Sequence, residues 1–239
     1  MTGDAIRFEA VAKGYGRQPV LEAVSFVVGA GELFGLVGLN GAGKTTLVKG
    51  LLDLCSLDGG RIEVFGVSHR RSRARTRLAF LPERFTPPYF LTGRDFLTEM
   101  AALYGGATAP GEVEGMLESL DLDPSALSRP VRTFSKGMSQ KLGLAATLLS
   151  GRDLFVLDEP MSGLDPRARA LLKRQLHGLR ASGRTIFFST HLLPDVEDLC
   201  DRMAVLQGGR VQFIGSPAEC CQRYGAYSLE QAFLECIAN

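Results

Sequence analysis

Several features that would point to other classes of protein are missing from this sequence of 239 residues. It has five cysteines but no Cys-x-x-Cys pair, and two of the five are adjacent, a spacing that metal sites and ordinary disulfides rarely use. The cysteines therefore predict a reduced, cytoplasmic protein with incidental thiols. No run of about 18 apolar residues occurs, so we expect no membrane-spanning helix.

An excess of charge of one sign is also missing. The chain has 27 basic and 26 acidic residues and a net charge of +1, which does not indicate nucleic acid as a partner. Thr2-Gly3-Asp4 is followed by mixed sequence, which predicts no secretory signal. With 45% hydrophobic residues, the chain is long enough to bury a substantial core, and we expect one domain with an inserted subdomain.

The most specific pattern is a glycine-rich segment between a predicted buried strand, residues 33–37, and a predicted helix, residues 47–52. Strand, glycine-rich turn, Gly-Lys-Thr and helix form the context of a phosphate-binding loop. Glycines let successive N–H groups point at one anion, and the helix N-terminus adds its positive end. We predict that Lys44 reaches the β- and γ-phosphates and that the Thr45 hydroxyl holds Mg²⁺. The predicted nucleotide-binding residues of this loop are Gly38, Leu39, Asn40, Gly41, Ala42, Gly43, Lys44, Thr45 and Thr46.

Polar residues also end two later apolar strands. Asp158 and Glu159 follow residues 154–157, and His191 follows residues 185–190. Neighbouring side chains of a strand point in opposite directions, so one carboxylate can face a metal and the other an attacking water. Two surface acids in a turn are the alternative, but a strand-end carboxylate in a low-dielectric cleft needs a cation. Because ligands bind at the carboxyl ends of parallel strands, we expect these residues and the phosphate loop to share one crevice.

Three other features are ambiguous on their own. Tyr15, in a predicted turn over residues 13–16, can stack on a base or be an ordinary turn tyrosine. Ser135 is predicted to cap a helix that runs to about Ser150, as a second anion site or as plain structure. Residues 70–77 contain five arginines, which can touch lipid phosphates or an acidic partner, although a solvated helix face is the more common explanation.

The order of the patterns predicts how the chain is organised. Strands are indicated at residues 6–11 and 20–28, and a turn at 58–60 precedes another strand. Residues 85–150 show helical patterns at Gly93 to Tyr104 and Gly111 to Leu120 and no strand pattern. We therefore predict a single domain, residues 1–239. Its nucleotide-binding core with a β-subdomain covers 1–84 and 151–215, its helical subdomain 85–150, and its C-terminal helical tail 216–239.

With these residues in place, the sequence resembles the ATP-binding subunits of ATP-binding cassette (ABC) transporters along nearly its whole length. Residues 38–46 resemble the Walker A motif, 154–159 the Walker B motif, and 80–83 the Q-loop. The signature motif is resembled by residues 134–138 and the D-loop by 162–165, while His191 stands in the switch-histidine place. The resemblance implies an α/β, RecA-like P-loop NTPase fold with a parallel-sheet core, an N-terminal antiparallel β-subdomain and an inserted α-helical subdomain. It also implies that Tyr15 stacks on adenine.

The chain departs from the common family pattern at two motifs. Glu83 stands where many members have Gln, and its oxygen can still coordinate Mg²⁺ or orient water. The signature reads Phe-Ser-Lys-Gly-Met, in which Ser135 and Gly137 are kept. Both variants, with the tail segment 228–234, resemble the subgroup that serves exporters of the ABC-2 type, in which the membrane subunits are usually separate chains.

The resemblance implies a mechanism in which two such subunits pair head to tail. ATP on one Walker A motif would be covered by the partner's signature, here Ser135, Lys136, Gly137 and Met138, with Asp165 in the D-loop. Glu159 would be the general base, with Lys44 and His191 stabilising the transferred phosphate. Thr45, Glu83 and Asp158 would bind Mg²⁺. Integral membrane permease subunits would hold the protein at the inner face of the cell membrane, with no nucleic acid partner.

Three other functions remain open at this point. A soluble ABC ATPase acting on a non-transport complex is the first, although members that act on ribosomes usually carry two cassettes and DNA-repair members carry long insertions. The second is a module that binds nucleotide without hydrolysis, against which the acid pair and His191 argue. A kinase for a small molecule is the third, and no acceptor site is visible in the sequence.

Overall fold

Two sheets organise the structure, a computed structural model that describes residues 3–106 and 109–238. Residues 1, 2, 107, 108 and 239, which belong to the predicted subdomain ranges, lie outside the described residues, as does Thr2 of the segment expected to lack a signal. The strands are β1 Asp4–Tyr15, β2 Gln18–Gly29, β3 Leu33–Val37, β4 Gly59–Val64, β5 Val67–Ser68, β6 Leu78–Leu81, β7 Leu154–Asp158, β8 Thr185–Thr190, β9 Arg202–Gln207 and β10 Arg210–Gly215. The helices are α1 Lys44–Leu51, α2 Ser72–Arg75, α3 Gly93–Leu103, α4 Pro110–Ser119, α5 Lys136–Leu148, α6 Pro166–Ala181, α7 Leu193–Leu199, α8 Pro217–Tyr224 and α9 Leu229–Ala238.

The central sheet has six strands in the order β10-β9-β3-β8-β7-β6. All neighbouring strands from β9 to β6 run parallel, and only β10 is antiparallel to its neighbour β9. Every residue of β3, β7 and β8 is buried, which is why these strands are mainly apolar in the sequence. The predicted α/β fold with a parallel-sheet core is confirmed.

Alternation along the strands divides the core between the two faces of this sheet. On β7, Phe155 and Leu157 pack with the helices α5 and α6, whereas Leu154 and Val156 pack with α1 and the second sheet. The third cluster covers the end of the sheet near β9 and β10 and contains Phe233 of α9. In the predicted helical tail, residues 216–239, the structure has two helices, α8 and α9, of which α8 was not predicted as a separate helix.

The second sheet is antiparallel, has the order β2-β1-β4-β5, and differs from the sequence prediction at both predicted turns. The turn predicted at residues 13–16 was placed too early: β1 continues through Tyr15, which pairs with Gln18. Gly16, with a φ of 62°, supplies the backbone conformation that so tight a connection needs. The turn predicted at 58–60 was also wrong in part, because the strand β4 begins at Gly59.

Gly60 explains that second error. Its φ is 77°, and an added Cβ would lie 2.3 Å from the carbonyl oxygen of Ala10. Glycine is therefore needed here for a close approach of β4 to β1, whereas the sequence pattern suggested a chain reversal.

Helical elements occupy the described residues between β6 and β7. The helix α3 begins with a capping box between Thr92 and Asp95, and α5 is capped by the Ser135 hydroxyl, which accepts from the Met138 N–H at 3.2 Å. Two short 3-10 helices, Pro124–Ser128 and Val131–Thr133, were not predicted. None of the helices in the described part of the chain has the length and apolar character needed to span a membrane.

The arginine-rich segment 70–77 is not the continuous helix face that was expected. Only Ser72–Arg75 is helical. Arg75 pairs with Asp53, and Arg77 pairs with Asp153 at 2.9 Å while its guanidinium lies 3.7 Å from the Phe65 ring centre. Arg75 and Arg77 therefore make contacts within the fold, whereas the prediction placed the whole segment on a solvated helix face.

Candidate functional site

A cavity of about 420 Å³ lies at the carboxyl ends of β3, β7 and β8. The connections after these three strands supply most of its lining, which includes the phosphate loop, Glu159 and His191, as predicted from the ends of parallel strands. Its lining residues are Val20, Leu39, Asn40, Gly41, Gly43, Lys44, Thr45, Thr46, Glu83, Glu159, Ser162 and His191.

The glycine-rich loop is shaped by left-handed backbone and close packing. Gly41 and Gly43 have φ of 85° and 109°, values that favour glycine. A Cβ on Gly43 would lie 2.9 Å from the Val20 carbonyl oxygen, so only glycine lets this loop pass β2. Gly43 is also the N-cap of α1, with no side-chain capping bond. The first N–H groups of α1 are therefore oriented toward the cavity end of the helix as donors for an anion.

Lys44 places a buried cation in the cavity. Its ammonium donates to the carbonyl oxygen of Gly38 at 2.7 Å and lies 3.4 Å from Glu159 Oε1. The side chains of Lys44 and Glu159 are both more than nine-tenths buried. Water screens such a pair poorly, so its charges act strongly on any anion that enters.

The two acids at the end of β7 differ in position. Asp158 is buried and accepts a short hydrogen bond at Oδ1 from the Ser189 hydroxyl of β8. Glu159 reaches the cavity from a left-handed backbone conformation, with a φ of 49°. Its Oε2 lies 3.0 Å from His191 Nδ1, while Oε1 faces Lys44. The structure thus brings together Lys44, Glu159 and His191, three residues from three strand ends.

Some of the remaining predicted residues line this cavity and others do not. Thr45, Thr46 and Glu83 line it, while Ala42 is buried in the loop and its N–H donates to the Leu39 carbonyl oxygen at 3.1 Å. Tyr15 is not among the lining residues. It is half-exposed, and the ammonium of Lys13 lies 5.3 Å from its ring centre.

The predicted signature residues lie outside the cavity lining. Lys136 lines a neighbouring groove of about 620 Å³, which shares Glu83 and Ser162 with the cavity. Gly137 lies against the D-loop, since an added Cβ would be 3.3 Å from the Gly163 carbonyl oxygen. Ser135 and Lys136 are exposed at the start of α5, so this helix end is open to another molecule.

Asp165 has a structural task in this subunit as the N-cap of α6. Its Oδ1 accepts from the Ala168 N–H at 2.9 Å, and this bond holds the pKa of its carboxyl below the ordinary value, with Lys141 adding to the effect. Lys141 lies 3.7 Å from Asp165 and also pairs with Asp121. The D-loop is therefore tied to α5, the helix that carries the predicted signature.

Val20, Ser162 and Ser189 were not predicted as site residues, although Ser162 was placed in the D-loop. Val20 lines the cavity from β2, and nothing in its apolar strand pattern distinguishes it from a core residue. Ser189 contacts both acids, and its only sequence signal was a hydroxyl two residues before His191, in a strand that also contains Thr185 and Thr190.

The oxygen donors of the site fit a hard cation such as Mg²⁺. Within the described residues no group of three or more His, Cys, Asp or Glu is placed to hold a metal by itself. Mg²⁺ is usually held by one or two carboxylates with phosphate and water as further ligands. Glu83 and Thr45 line the cavity and Asp158 is buried at the end of β7, and together their oxygens offer that kind of partial set.

Comparison with known proteins adds the family. The model of the family described as "ABC transporter" matches residues 21–162, more than half of the chain. The chain belongs to the ABC transporter family. Within it, Nod factor export ATP-binding protein I of Ralstonia nicotianae is 38% identical over 215 residues, which cover 88% of this chain and 67% of the relative. An uncharacterized ABC transporter ATP-binding protein of Synechocystis is 39% identical over 202 residues, 83% of this chain but 57% of the relative.

Solved structures extend the likeness to the whole ABC ATPase fold. The structure of an ATP-binding subunit of an ABC transporter has a TM-score of 0.88 and 33% identity, covering 97% of this chain and 99% of that one. A dimeric ATP-binding cassette in a post-hydrolysis state with ADP and Pi has a TM-score of 0.79 at 18% identity, covering 88% and 98%, and supports the fold alone. The predicted family and P-loop NTPase fold are confirmed.

Proposed function

We propose that this ABC ATP-binding protein hydrolyses MgATP in a head-to-tail dimer and drives export through separate membrane subunits of the ABC-2 type. The observation that carries the proposal is the position of Glu159, held between Lys44 and His191 at the mouth of the phosphate loop. A buried carboxylate with one oxygen toward a cation and the other toward an imidazole is arranged to take a proton from water.

The roles within the site follow from these contacts. Glu159 accepts the proton of the attacking water, and His191 orients the carboxylate and holds the γ-phosphate in line with that water. Lys44 and the N–H groups at the start of α1 stabilise the charge that spreads over the transferred phosphoryl group. Thr45, Glu83 and Asp158 would hold Mg²⁺, which, when bound, offsets charge on the β- and γ-phosphates.

The dimer is proposed from the exposure of the signature. Ser135, Lys136, Gly137 and Met138 start α5 outside the cavity of their own subunit, so they are free to cover ATP bound to a second copy. That helix end offers N–H groups, and Lys136 adds positive charge. Tyr15 is proposed to stack on adenine from the tip of the β1–β2 hairpin, where its ring is half-exposed.

The transport role is proposed from the relatives. Several relatives that are 38% identical to this chain are named as Nod factor export ATP-binding proteins, which favours export as the direction. The membrane subunits would hold this protein at the cytoplasmic face of the cell membrane. These relatives are longer than this chain, which covers 67% and 64% of their length. The molecule that they transport is therefore not assigned to this protein.

The proposal is tested by Glu159→Gln. The amide keeps the shape of the side chain but cannot take a proton, so we expect ATP to bind while kcat falls by about 10² or more. Phosphate release by the purified protein measures this. The matched control is Glu197→Gln, an exposed acid on α7 outside the cavity, which we expect to leave kcat unchanged. Normal turnover by the Glu159 variant would exclude Glu159 as the base.

A further inference from the structure

One hydroxyl of β8 contacts both acids at the end of β7. Ser189 is fully buried, and its Oγ donates to Asp158 Oδ1. The same oxygen accepts the backbone N–H of Glu159 at 3.1 Å. A hydroxyl carries one hydrogen, so donation to Asp158 leaves its lone pairs for Glu159. The hydroxyl therefore acts as a donor to one acid and as an acceptor from the backbone of the other.

The point of contact is where the strand ends and the chain turns. Asp158 pairs with Ser189 in the register of β7 and β8, and Glu159 is the next residue, with a φ of 49°. The Glu159 N–H is shared between Oγ and the carbonyl oxygen of Ser189, each at 3.1 Å. Left-handed backbone at a residue other than glycine persists only where its surroundings enforce it. Ser189 supplies two of the acceptors that do so.

The turn determines where the Glu159 carboxylate goes. From this conformation its two oxygens reach Lys44 and the ring of His191, which lies two residues beyond Ser189. The end of β8 thus contacts the acid pair twice, once through a hydroxyl and once through an imidazole. The orientation of both acids depends on this one strand end.

We propose that Ser189 is a positioning residue for ATP hydrolysis, holding the Asp158 carboxylate in one rotamer and the Glu159 turn in its left-handed conformation. This inference rests on the proposed function. Ser189 does not line the cavity, so it acts through the two acids and not on the nucleotide. Its loss should affect turnover and the use of Mg²⁺ more than the binding of ATP itself.

The test is Ser189→Ala, with Thr185→Val as the matched control. Thr185 is a buried hydroxyl residue on the same strand, and its Oγ1 accepts one backbone N–H, that of Gly31, at 2.9 Å. It lies at the other end of β8, away from the acids. Both substitutions remove a buried acceptor from a backbone N–H, so both should lower the unfolding midpoint.

The two variants should differ in their kinetics. For Ser189→Ala we expect kcat to fall about tenfold or more, KM for ATP to change by less than about threefold, and half-maximal activity to need several-fold more Mg²⁺. For Thr185→Val we expect kcat and KM within about twofold of the original protein. Ser189→Cys, a variant of similar size whose thiol is a weak donor, should lie between and serves if the alanine variant does not fold.

A readout without turnover completes the experiment. Binding of a fluorescent ATP analogue is titrated with and without Mg²⁺. We expect the alanine variant to bind like the original protein without Mg²⁺ and to lose part of the gain that Mg²⁺ gives. Unchanged kcat and unchanged Mg²⁺ dependence, or equal losses in the Ser189 and Thr185 variants, would overturn the positioning role. Absence of ATP hydrolysis by the original protein would instead overturn the proposed function.

Discussion

Lys44 has both a hydrogen-bond acceptor and an ion-pair partner within its own subunit. Its ammonium contacts the Gly38 carbonyl oxygen and the Glu159 carboxylate, and its side chain is almost fully buried. These two partners offset the cost of burying the ammonium, which is the group that would stabilise the phosphates. Charge at this one position is therefore central to the proposed chemistry.

We predict that Lys44→Ala abolishes or strongly weakens ATPase activity. The variant removes the cation of the cavity and leaves Glu159 without its charged partner, so MgATP should also bind less tightly. Steady-state phosphate release and titration with a fluorescent ATP analogue measure the two effects.

Lys49→Ala is the control for this prediction, because Lys49 is an exposed lysine on the same helix α1 and does not line the cavity. We expect it to keep the kinetics of the original protein. Unchanged MgATP kinetics in the Lys44 variant would contradict the role given to this residue.

For individual residues, the sequence predicted which side chains lie together but not which contacts fix their orientation. Lys44, Glu159 and His191 could be placed together because each follows an apolar strand, and ends of parallel strands share one edge. The role of Ser189 depends on the pairing register between β7 and β8, which a local pattern does not contain. The lining by Val20 depends on how the second sheet packs on the loop.

Among the elements, the C-terminal helix α9 joins the core through one face only. Phe233 is 6% exposed and belongs to the cluster beside β9, whereas its neighbour Leu234 is 62% exposed. The position of α9 against the sheet therefore depends on a few apolar side chains. The contribution of this packing to stability can be measured by comparing substitutions at Phe233 and Leu234.

We predict that Phe233→Ala lowers the free energy of unfolding by about 3–4 kcal/mol, because it removes a buried aromatic ring and leaves a cavity. Leu234→Ala should change it by less than about 0.5 kcal/mol, since that side chain is mainly in solvent. Urea unfolding followed by circular dichroism measures both. Similar losses in the two variants would mean that α9 does not dock through the face seen here.

Elements with strong patterns were predicted within a few residues, and short ones were not. The helices α3 and α5 carry clear caps at Thr92 and Ser135, so their starts could be identified. The two 3-10 helices owe their form to tertiary packing more than to local pattern. The helix α8 was missed although it carries local signals, a capping box between Ser216 and Glu219 and a left-handed Gly225 at its end. Gly60 was misread because a close approach between strands and a turn both require glycine.

For the whole molecule, the separation of the phosphate loop from the predicted signature is the feature that matters. The two lie in different parts of one subunit, and of the residues that the structure describes only Glu83 and Ser162 line both the cavity and the groove beside Lys136. In the proposed dimer, ATP that binds both the loop of one copy and the helix start of a second copy would join the two copies. Removal of the terminal phosphate would then weaken the pair.

We predict that the Glu159→Gln variant has the mass of a dimer with ATP and Mg²⁺ and the mass of a monomer after Mg²⁺ is chelated. The ion is needed because the phosphates otherwise bring four negative charges between the two copies. Light scattering after size exclusion measures the mass, and ADP with Mg²⁺ is the control that should give monomers. A monomer under all conditions, even with membrane subunits present, would contradict the dimer.

The shared lining of the cavity and the groove has a consequence for regulation. The Ser162 N–H donates to the carbonyl oxygen of Glu159 at 3.0 Å, so one of the two residues that border both spaces is hydrogen-bonded to the backbone of the proposed base. An occupant of the groove that shifts Ser162 would then also act on the base. Linkage then works in both directions: by whatever factor such an occupant changes the affinity for ATP, ATP changes the affinity for that occupant by the same factor.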